Sequence, residues 1–573
     1  MASFRHSIAY IDALPQLCLL GLLIGVLTGF VIVLFRYLVE IPAMVYMDGN
    51  SENFEELALS LRVGGIFVGC FILAIFMQLL PTNRREVGVS HVVDRLHSYQ
   101  GQMSWRNWLV QFFAGAIAIG SGQSVGREGP VVHLGGGVGS FLGSWLRLPN
   151  NSMNTLVACG AAAGISASFD TPMAGVIFAM EVIVMEYTIA GFLPVMLASV
   201  VGTVISQAAF GEPMNIRAED LALSGIAELP FILLVGVIVS ICGAVYIRLN
   251  LWARSVKLIP VFFRIIIAGA LTAVVAISVP EVMGLGYDTL NASIAGQLGL
   301  FALLTIALAK LVLTPIVIGL GIPGGLIGPM LVIGACVGGV FGLVADMLFA
   351  GFSGSPGFYV MLGMVGMMAA TLNAPLAALV AILELSSNPN IIFPAMLVIV
   401  VACLSIRHFF RYESIFTEQL KASGRRPTSM PAKQILRRVG VLSVLDHRIQ
   451  KLAQQVTVTE ARACLSSKPE WLLFDVGQQM QGLYAADLAA YLETQLDSET
   501  KESANDGSMI DLLEIPARRR LLLSIHETAT LWEAWKTMNN KNVEAVYVRS
   551  LPTGRIAGLL TIEAVENYYH LSE

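Results

Sequence analysis

The chain of 573 residues is 55% hydrophobic and only 13% charged, with a mean hydropathy of +0.72. An ordinary soluble domain does not reach these values, so the sequence reads as a polytopic membrane protein. Its formal net charge of −5 averages a membrane part and a soluble part and gives no basic excess that would draw nucleic acid.

The first apolar run, Leu17 to Leu34, is too long for a signal-peptide core and lacks a small-residue cleavage site, so it predicts a retained helix. Arg5 and His6 ahead of it predict a cytoplasmic N-terminus. Apolar segments continue to about Phe410, many broken by Gly and Pro at intervals shorter than the ~20 residues a simple spanning helix needs. Tilted and broken helices are therefore expected, because such breaks survive at depth only where protein or a water-filled cavity satisfies the freed backbone groups. Cys18, Cys70, Cys159, Cys242, Cys336 and Cys403 fall in apolar segments and Cys464 stands alone in the tail. No CxxC or metal-ligand spacing occurs, so neither a disulfide framework nor a metal site is indicated.

The stretch GSGQSVGREGP, residues 120 to 130, sets Arg127 and Glu128 among glycines inside this apolar region. A charge at such depth costs at least ~2.5 to 3.5 kcal/mol and marks a functional position. A helix that starts near the midplane presents unpaired N–H groups and the positive end of its dipole, and glycine lets that backbone approach a ligand closely. Residues 126 to 139 and 321 to 339 both have this form, a loop entering a helix, and together predict an anion site. Gly135 to Gly139 read as close helix packing instead. Arg127 reads either as part of the site or as a salt-bridge partner. Glu128 carries the same sign as the ligand: ionised it fills the site, protonated it leaves, so it is a gate whose state depends on pH.

The interruptions repeat. GAAAGISASFDTPMAGVIFAMEV (160 to 182) lies over GMVGMMAATLNAPLAALVAILEL (363 to 385), pairing Gly160 with Gly363, Pro172 with Pro375 and Glu181 with Glu384. GREGPVVHLGGGVG likewise pairs with GLIGPMLVIGACVG, Gly126 with Gly325 and Pro130 with Pro329. Repeats with breaks in matching places point to a binding site at their interface. Glu181 and Glu384, present in both halves, read as structural groups bonded at helix starts.

From Thr417 onward the composition becomes soluble. A polar linker (494 to 509) separates two pieces, the second reading strand, helix, strand, strand, helix and the first following the same plan. The predicted organisation is a membrane domain over 1–416, with halves of about 1–215 and 216–416, and a tail over 417–573 holding α/β modules at about 430–493 and 510–573.

GREGP at 126 to 130, GIPGGLIGP at 321 to 329, the paired GAAAG…P…E blocks and the doubled tail resemble the CLC family of chloride channels and proton/chloride antiporters over essentially the whole chain. The resemblance implies an all-α membrane fold built as an inverted repeat, a homodimer with one pore per subunit in the cell membrane, cytoplasmic termini, and a tail similar to tandem CBS domains. It makes Glu128 the external gating glutamate and puts Gly126, Arg127, Gly129, Gly325, Leu326 and Ile327 around the anion. EVGVSHVV (86 to 93) stands where the family binds the anion with a serine, with Val87 at that position and Gly88 and Ser90 beside it. Phe416 stands at the position of the family's central tyrosine. With both hydroxyls replaced, the site rests mainly on backbone N–H groups.

Proton-coupled members carry an internal glutamate where this chain has Val182, so the sequence leans to a channel or weakly coupled carrier of chloride or another small monovalent anion. The alternatives are a proton/anion antiporter and a non-transporting sensor that uses the tail. In the tail the CBS ribose pattern GxxTxxD keeps Asp487 but has Tyr484 in one module, and keeps Thr561 but has Ala564 in the other. Adenine nucleotide there is an open expectation, and no other cofactor is implied. No P-loop, HExxH or GxSxG constellation suggests an enzyme.

Overall fold

The computed structural model describes residues 14–46, 54–211, 225, 228–348, 355–425, 436–437, 439–477, 479–498, 509–550 and 554–572. Arg5, His6 and linker residues 499–508 lie outside them. The chain forms two compact units, a helical one of residues 14–146 and 153–428 and one that holds residues 429–573.

The first half of the helical unit runs α1 (Leu14–Tyr46), α2 (Leu59–Leu79), α3 (Val89–Ser98), α4 (Trp105–Gly120), α5 (Glu128–Trp145), α6 (Asn150–Phe169), α7 (Pro172–Phe178) and α8 (Ile189–Phe210). The second half repeats the order as α9 (Leu229–Ser255), α10 (Val261–Ser278), α11 (Tyr287–Ile294), α12 (Leu300–Leu320), α13 (Ile327–Leu348), α14 (Pro356–Leu372), α15 (Pro375–Ser386) and α16 (Ile392–His408). One helix, α17 (Ile415–Ala422), follows without a counterpart. Among the described residues eight helices are long and apolar enough to cross a membrane. The equivalent pairs α3/α11 and α7/α15 are much shorter, with 10, 8, 7 and 12 residues. Outward-facing Leu19, Phe30, Leu34 and Leu79 are exposed as lipid-facing side chains must be.

The halves are related element by element as an inverted repeat. α2 packs on α10, α5 on α13 and α7 on α15, so three elements meet their own equivalents along the pseudo-two-fold axis. α7 and α15 both start on proline, whose missing N–H costs nothing at a first helical position. Each follows a residue held in the left-handed region, Asp170 (φ 56°) and Asn373 (φ 51°). The starts are capped crosswise. Glu384 accepts from the N–H groups of Met173 (2.8 Å) and Ala174 (2.7 Å) in the first half, and Glu181 from Leu376 (3.3 Å) and Ala377 (2.7 Å) in the second. These carboxylates answer the unpaired donors and positive dipole of the opposite half's helix.

Glycines set the closest helix approaches, again symmetrically. A Cβ on Gly135 would collide with the Gly160 carbonyl and one on Gly139 with that of Leu156; Gly334 and Gly338 stand in the same relation to Gly363 and Tyr359. Backbone meets backbone where membrane helices gain dispersion contact without hydrophobic drive.

The helical unit extends beyond the boundary expected at 416. Thr417, Gln419 and Leu420 are buried, and Gln419 Nε2 donates to Asn250 Oδ1 at 2.8 Å while Asn250 holds the Pro315 carbonyl at 2.9 Å. Polar composition concealed a helix whose polar groups are spent inside the protein.

The second unit carries one six-stranded sheet in the order β1 (Ile449–Lys451), β3 (Trp471–Val476), β4 (Gln479–Tyr484), β6 (Arg520–His526), β7 (Ala545–Arg549), β8 (Ile556–Thr561). β1 and β3 are parallel, as are β6 and β7; β3/β4 and β7/β8 are antiparallel, and β4 joins β6 antiparallel between the modules. The helices α18 (Val458–Ser466) and α20 (Leu531–Lys541) each open on a reciprocal capping box, Thr457 with Glu460 and Thr530 with Glu533, and α19 (Ala485–Ser498) and α21 (Ile562–Ser572) follow the hairpins. The module limits expected at 430–493 and 510–573 are crossed at both ends. Val439, Val441 and Leu445 belong to the core of the second module. Ile510, Leu512 and Ile515 belong to the first, where β5 (Met509–Asp511) pairs with β2 (Gln455–Thr457). Each short apolar segment finds its burial with the other module's strands.

The crossing at Gly160 is expected to tolerate no side chain. Gly160→Val should lower the detergent melting temperature or abolish a monodisperse peak, since overpacking alone costs ~1 to 3 kcal/mol. Gly64→Val, at a position with open space around it, should leave both unchanged.

Candidate anion pathway and gate

The loop between α4 and α5 is fixed by its own buried polar side chains. Gln123 donates to Cys70 Sγ at 3.0 Å and accepts from Thr272 Oγ1 at 2.9 Å, and Ser124 Oγ lies 2.7 Å from Thr314 Oγ1. α2, α10 and α12 thereby hold the loop against the second half. The chain then forms a two-hydrogen-bond bridge across the axis: Gly126 N–H donates to the Gly325 carbonyl at 2.8 Å, and Gly325 N–H to the Gly126 carbonyl at 2.6 Å. These two glycines are the repeat equivalents paired from the sequence.

Immediately beyond the bridge α5 starts at Glu128 and α13 at Ile327. A Cβ on Gly129 would stand 3.0 Å from the Gly324 carbonyl oxygen and from Gly325 Cα, so the two helix starts come together backbone to backbone. The Glu128 carboxylate occupies that space. A Cβ on Gly126 or Gly325 would collide with its Oε2, and one on Gly328 would stand 2.7 Å from Oε1. Glu128 is 1% exposed, and neither oxygen has a hydrogen-bond partner among the described residues. A carboxylate that faces two helix starts and closes no well-formed hydrogen bond on either is replaceable by another anion.

The remaining candidates divide. Leu326 is buried with its carbonyl directed at α9, and Ile327 begins α13. The Arg127 guanidinium lies over the rings of Phe169 (5.4 Å) and Tyr287 (5.2 Å), a cation–π seat. Gly88 (φ +84°) turns the chain into α3, with Val87 packed against the core and Ser90 half-buried in the first turn. Phe416 is buried at the start of α17, which packs on α3, α9 and α14. Val182 is buried in a π-helical turn, Ala179–Val184, that continues α7 and packs on α3. In the tail, Asp487 lies in the first turn of α19. Thr561 Oγ1 accepts from Ala564 N–H at 3.2 Å, a cap for α21, and Tyr484 packs on Trp471 with ring centroids 3.9 Å apart.

Sequence reasoning missed Tyr246. It is fully buried on α9, and its hydroxyl donates to the Leu326 carbonyl at 3.1 Å. The only signal was a phenol inside an apolar helix, which must find a partner at depth. Gln111 was missed as well: its Nε2 reaches the Pro323 carbonyl at 3.4 Å, a second side chain steadying the GIPGG loop.

The fold and this doubled helix-start site define a membrane anion-transport protein. A family model described as voltage gated chloride channel matches residues 64–407, and the chain belongs to this family, the CLC proteins. It is similar to the H(+)/Cl(-) exchange transporter ClcA of Vibrio cholerae serotype O1 (strain M66-2), with 28% identity over 393 residues, 66% of this chain and 83% of that protein. Among solved structures, a CLC-type fluoride/proton antiporter is 25% identical with a TM-score of 0.59, covering 70% of this chain and 97% of that one. A eukaryotic CLC transporter, 18% identical, matches in fold with a TM-score of 0.60 over 97% of this chain and 99% of that one, tail included.

Gly325→Ala is expected to keep the fold and cripple the site, because the added methyl meets Glu128 Oε2 and lies 2.7 Å from Gly129 N. If overpacking of ~1 to 3 kcal/mol falls on the bound state, anion affinity drops about fivefold to a hundredfold, read as reduced liposome flux at an unchanged size-exclusion profile.

Proposed function

We propose that the protein exchanges protons for chloride or a similar small monovalent anion, with Glu128 as the group that both ligands contest. The observation carrying this reading is the seat of the Glu128 carboxylate, buried between two helix starts without a protein hydrogen-bond partner. An anion arriving at the same dipoles must displace it, and a proton neutralises it so that it leaves. Alternate occupation by anion and carboxylate is the elementary step of exchange.

This replaces the channel-like mode suggested by Val182. Relatives that match 66% of the chain are named as H(+)/Cl(-) exchange transporters, and a structural neighbour as a fluoride/proton antiporter. Valine at 182 removes one acidic position and leaves Glu128 in place. A passive channel stays as the second reading because Val182, buried in the π-helical turn, offers a proton no foothold. We further propose that two subunits assemble with one pathway each, as the family resemblance implies. Backbone donors discriminate among anions by size and field strength, and with Val87 and Phe416 offering no hydroxyl, chloride should be only weakly preferred over nitrate.

The test is purified protein in liposomes under a proton gradient with no anion gradient, with chloride and fluoride assayed separately. Exchange predicts uphill anion movement at a fixed ratio to protons; a channel yields none. Glu128→Gln, which cannot ionise, should abolish proton movement and leave anion flux that no longer varies with pH. Retained proton coupling in a well-folded Glu128→Gln protein would sink the assignment.

A further inference from the structure

Two histidines lie stacked inside the helical unit, away from any role described so far. His91 on α3 and His133 on α5 pack edge to face with ring centroids 5.2 Å apart. They are 4% and 0% exposed, and all four ring nitrogens lack a hydrogen-bond partner among the described residues. Native proteins pair nearly all buried polar groups, so two adjacent imidazoles in a membrane interior, with Glu86 at ion-pair distance from one of them as the nearest partner, need a reason. A purely structural pair would bond at least one ring nitrogen of each, as His97 on the same helix does with its Nε2, 3.2 Å from the Ile183 carbonyl.

The surroundings run in one direction. Glu86 Oε2 stands 3.8 Å from His91 Nδ1, and Glu86 is 39% exposed, so it opens to solvent on the side where the chain leaves α17. Arg425, just beyond α17, grips Glu86 with both guanidinium nitrogens (2.9 and 2.8 Å) and reaches the buried Asp94 at 3.0 Å. The charged groups facing the pair are Glu86, Asp94 and Arg95 around His91, and Arg95 again near His133. At the other end, His133 lies on the same helix as Glu128 and five residues after it, a rise of about 7.5 Å.

We propose that His91 and His133 form the proton route between the solvent at Glu86 and the gate at Glu128, standing in for the acid that Val182 lacks. The proposal rests on the exchange reading above. A proton from solvent binds a His91 ring nitrogen, whose opposite N–H passes a proton to His133; His133 in turn releases one through ordered water to the Glu128 carboxylate. Each imidazole accepts one proton and gives up another, so the relay returns both rings to neutrality once Glu128 is protonated. Glu86 does not carry the proton itself. His91 and Arg425 hold its carboxyl down at about 2, below its ordinary value of 4.5, so it remains charged at working pH and attracts the proton to His91. Imidazole suits the task because it can take a proton on one ring nitrogen and release one from the other.

The experiment compares chloride efflux and coupled proton uptake for full-length wild type, His133→Gln, His91→Gln, Glu86→Gln and Glu128→Gln in liposomes. Wild type should show both movements. The histidine variants should keep chloride efflux within about twofold while proton uptake falls by at least about tenfold, the scale of losing a positioned proton-transfer group. Glu86→Gln leaves Arg425 bonded to Asp94, is expected to fold, and should slow proton uptake severalfold with chloride efflux intact. Should a histidine variant not fold, this substitution decides. Proton uptake unchanged in Glu86→Gln or in either folded histidine variant overturns the relay and leaves exchange standing. Absent proton movement in wild type itself would instead overturn the exchange reading.

Discussion

Two hydrogen bonds between Gly126 and Gly325 hold the two halves of this membrane unit together at the point where function is concentrated. The bridge requires backbone without side chains on both strands, and it places the starts of α5 and α13 face to face. Everything else in the helical unit keeps that encounter aligned. Glu181 and Glu384 cap helices of the opposite half, so neither half can complete its own hydrogen bonding alone. The Gly135/Gly160 and Gly334/Gly363 crossings fix how far each helix start projects toward the axis.

That arrangement explains why a carboxylate can be buried at such depth. The isolated cost of a charged group in hydrocarbon is met here by two helix dipoles and a set of amide groups, none of which closes a bond on it. A salt bridge would have trapped the carboxylate. Arg127, the adjacent cation, lies over Phe169 and Tyr287, which agrees with the proposal that the seat of the carboxylate can also take a mobile anion.

Most of the membrane architecture was legible because its determinants are local and cannot be substituted. Glycine at a backbone crossing, proline at a first helical position and glutamate over an open helix start leave marks in matching places of both halves. The all-α membrane fold with an α/β tail follows from those marks and from hydropathy. What escaped notice depends on partners far away in sequence. Tyr246 matters because it meets Leu326, and the His91–His133 stack joins positions on two helices with no motif between them. The exchanged segments of the tail, Val439 to Leu445 and Ile510 to Ile515, are too short to show a period. The two capping boxes found in the structure, Thr457 with Glu460 and Thr530 with Glu533, stand in the sequence as TVTE at 457–460 and TLWE at 530–533, a signal that the strand and helix pattern did not use. The leaning toward a channel rested on a single absence at Val182, which says where one acid is missing and nothing about which other groups carry protons.

The most direct measurement is anion binding to the purified protein by calorimetry, wild type against Glu128→Gln, at several pH values. If the carboxylate and the anion contest one seat, protonation frees it, so wild-type affinity should rise as pH falls while Glu128→Gln binds equally well at every pH. Parallel pH dependence in the two proteins, or none in either, would contradict the account.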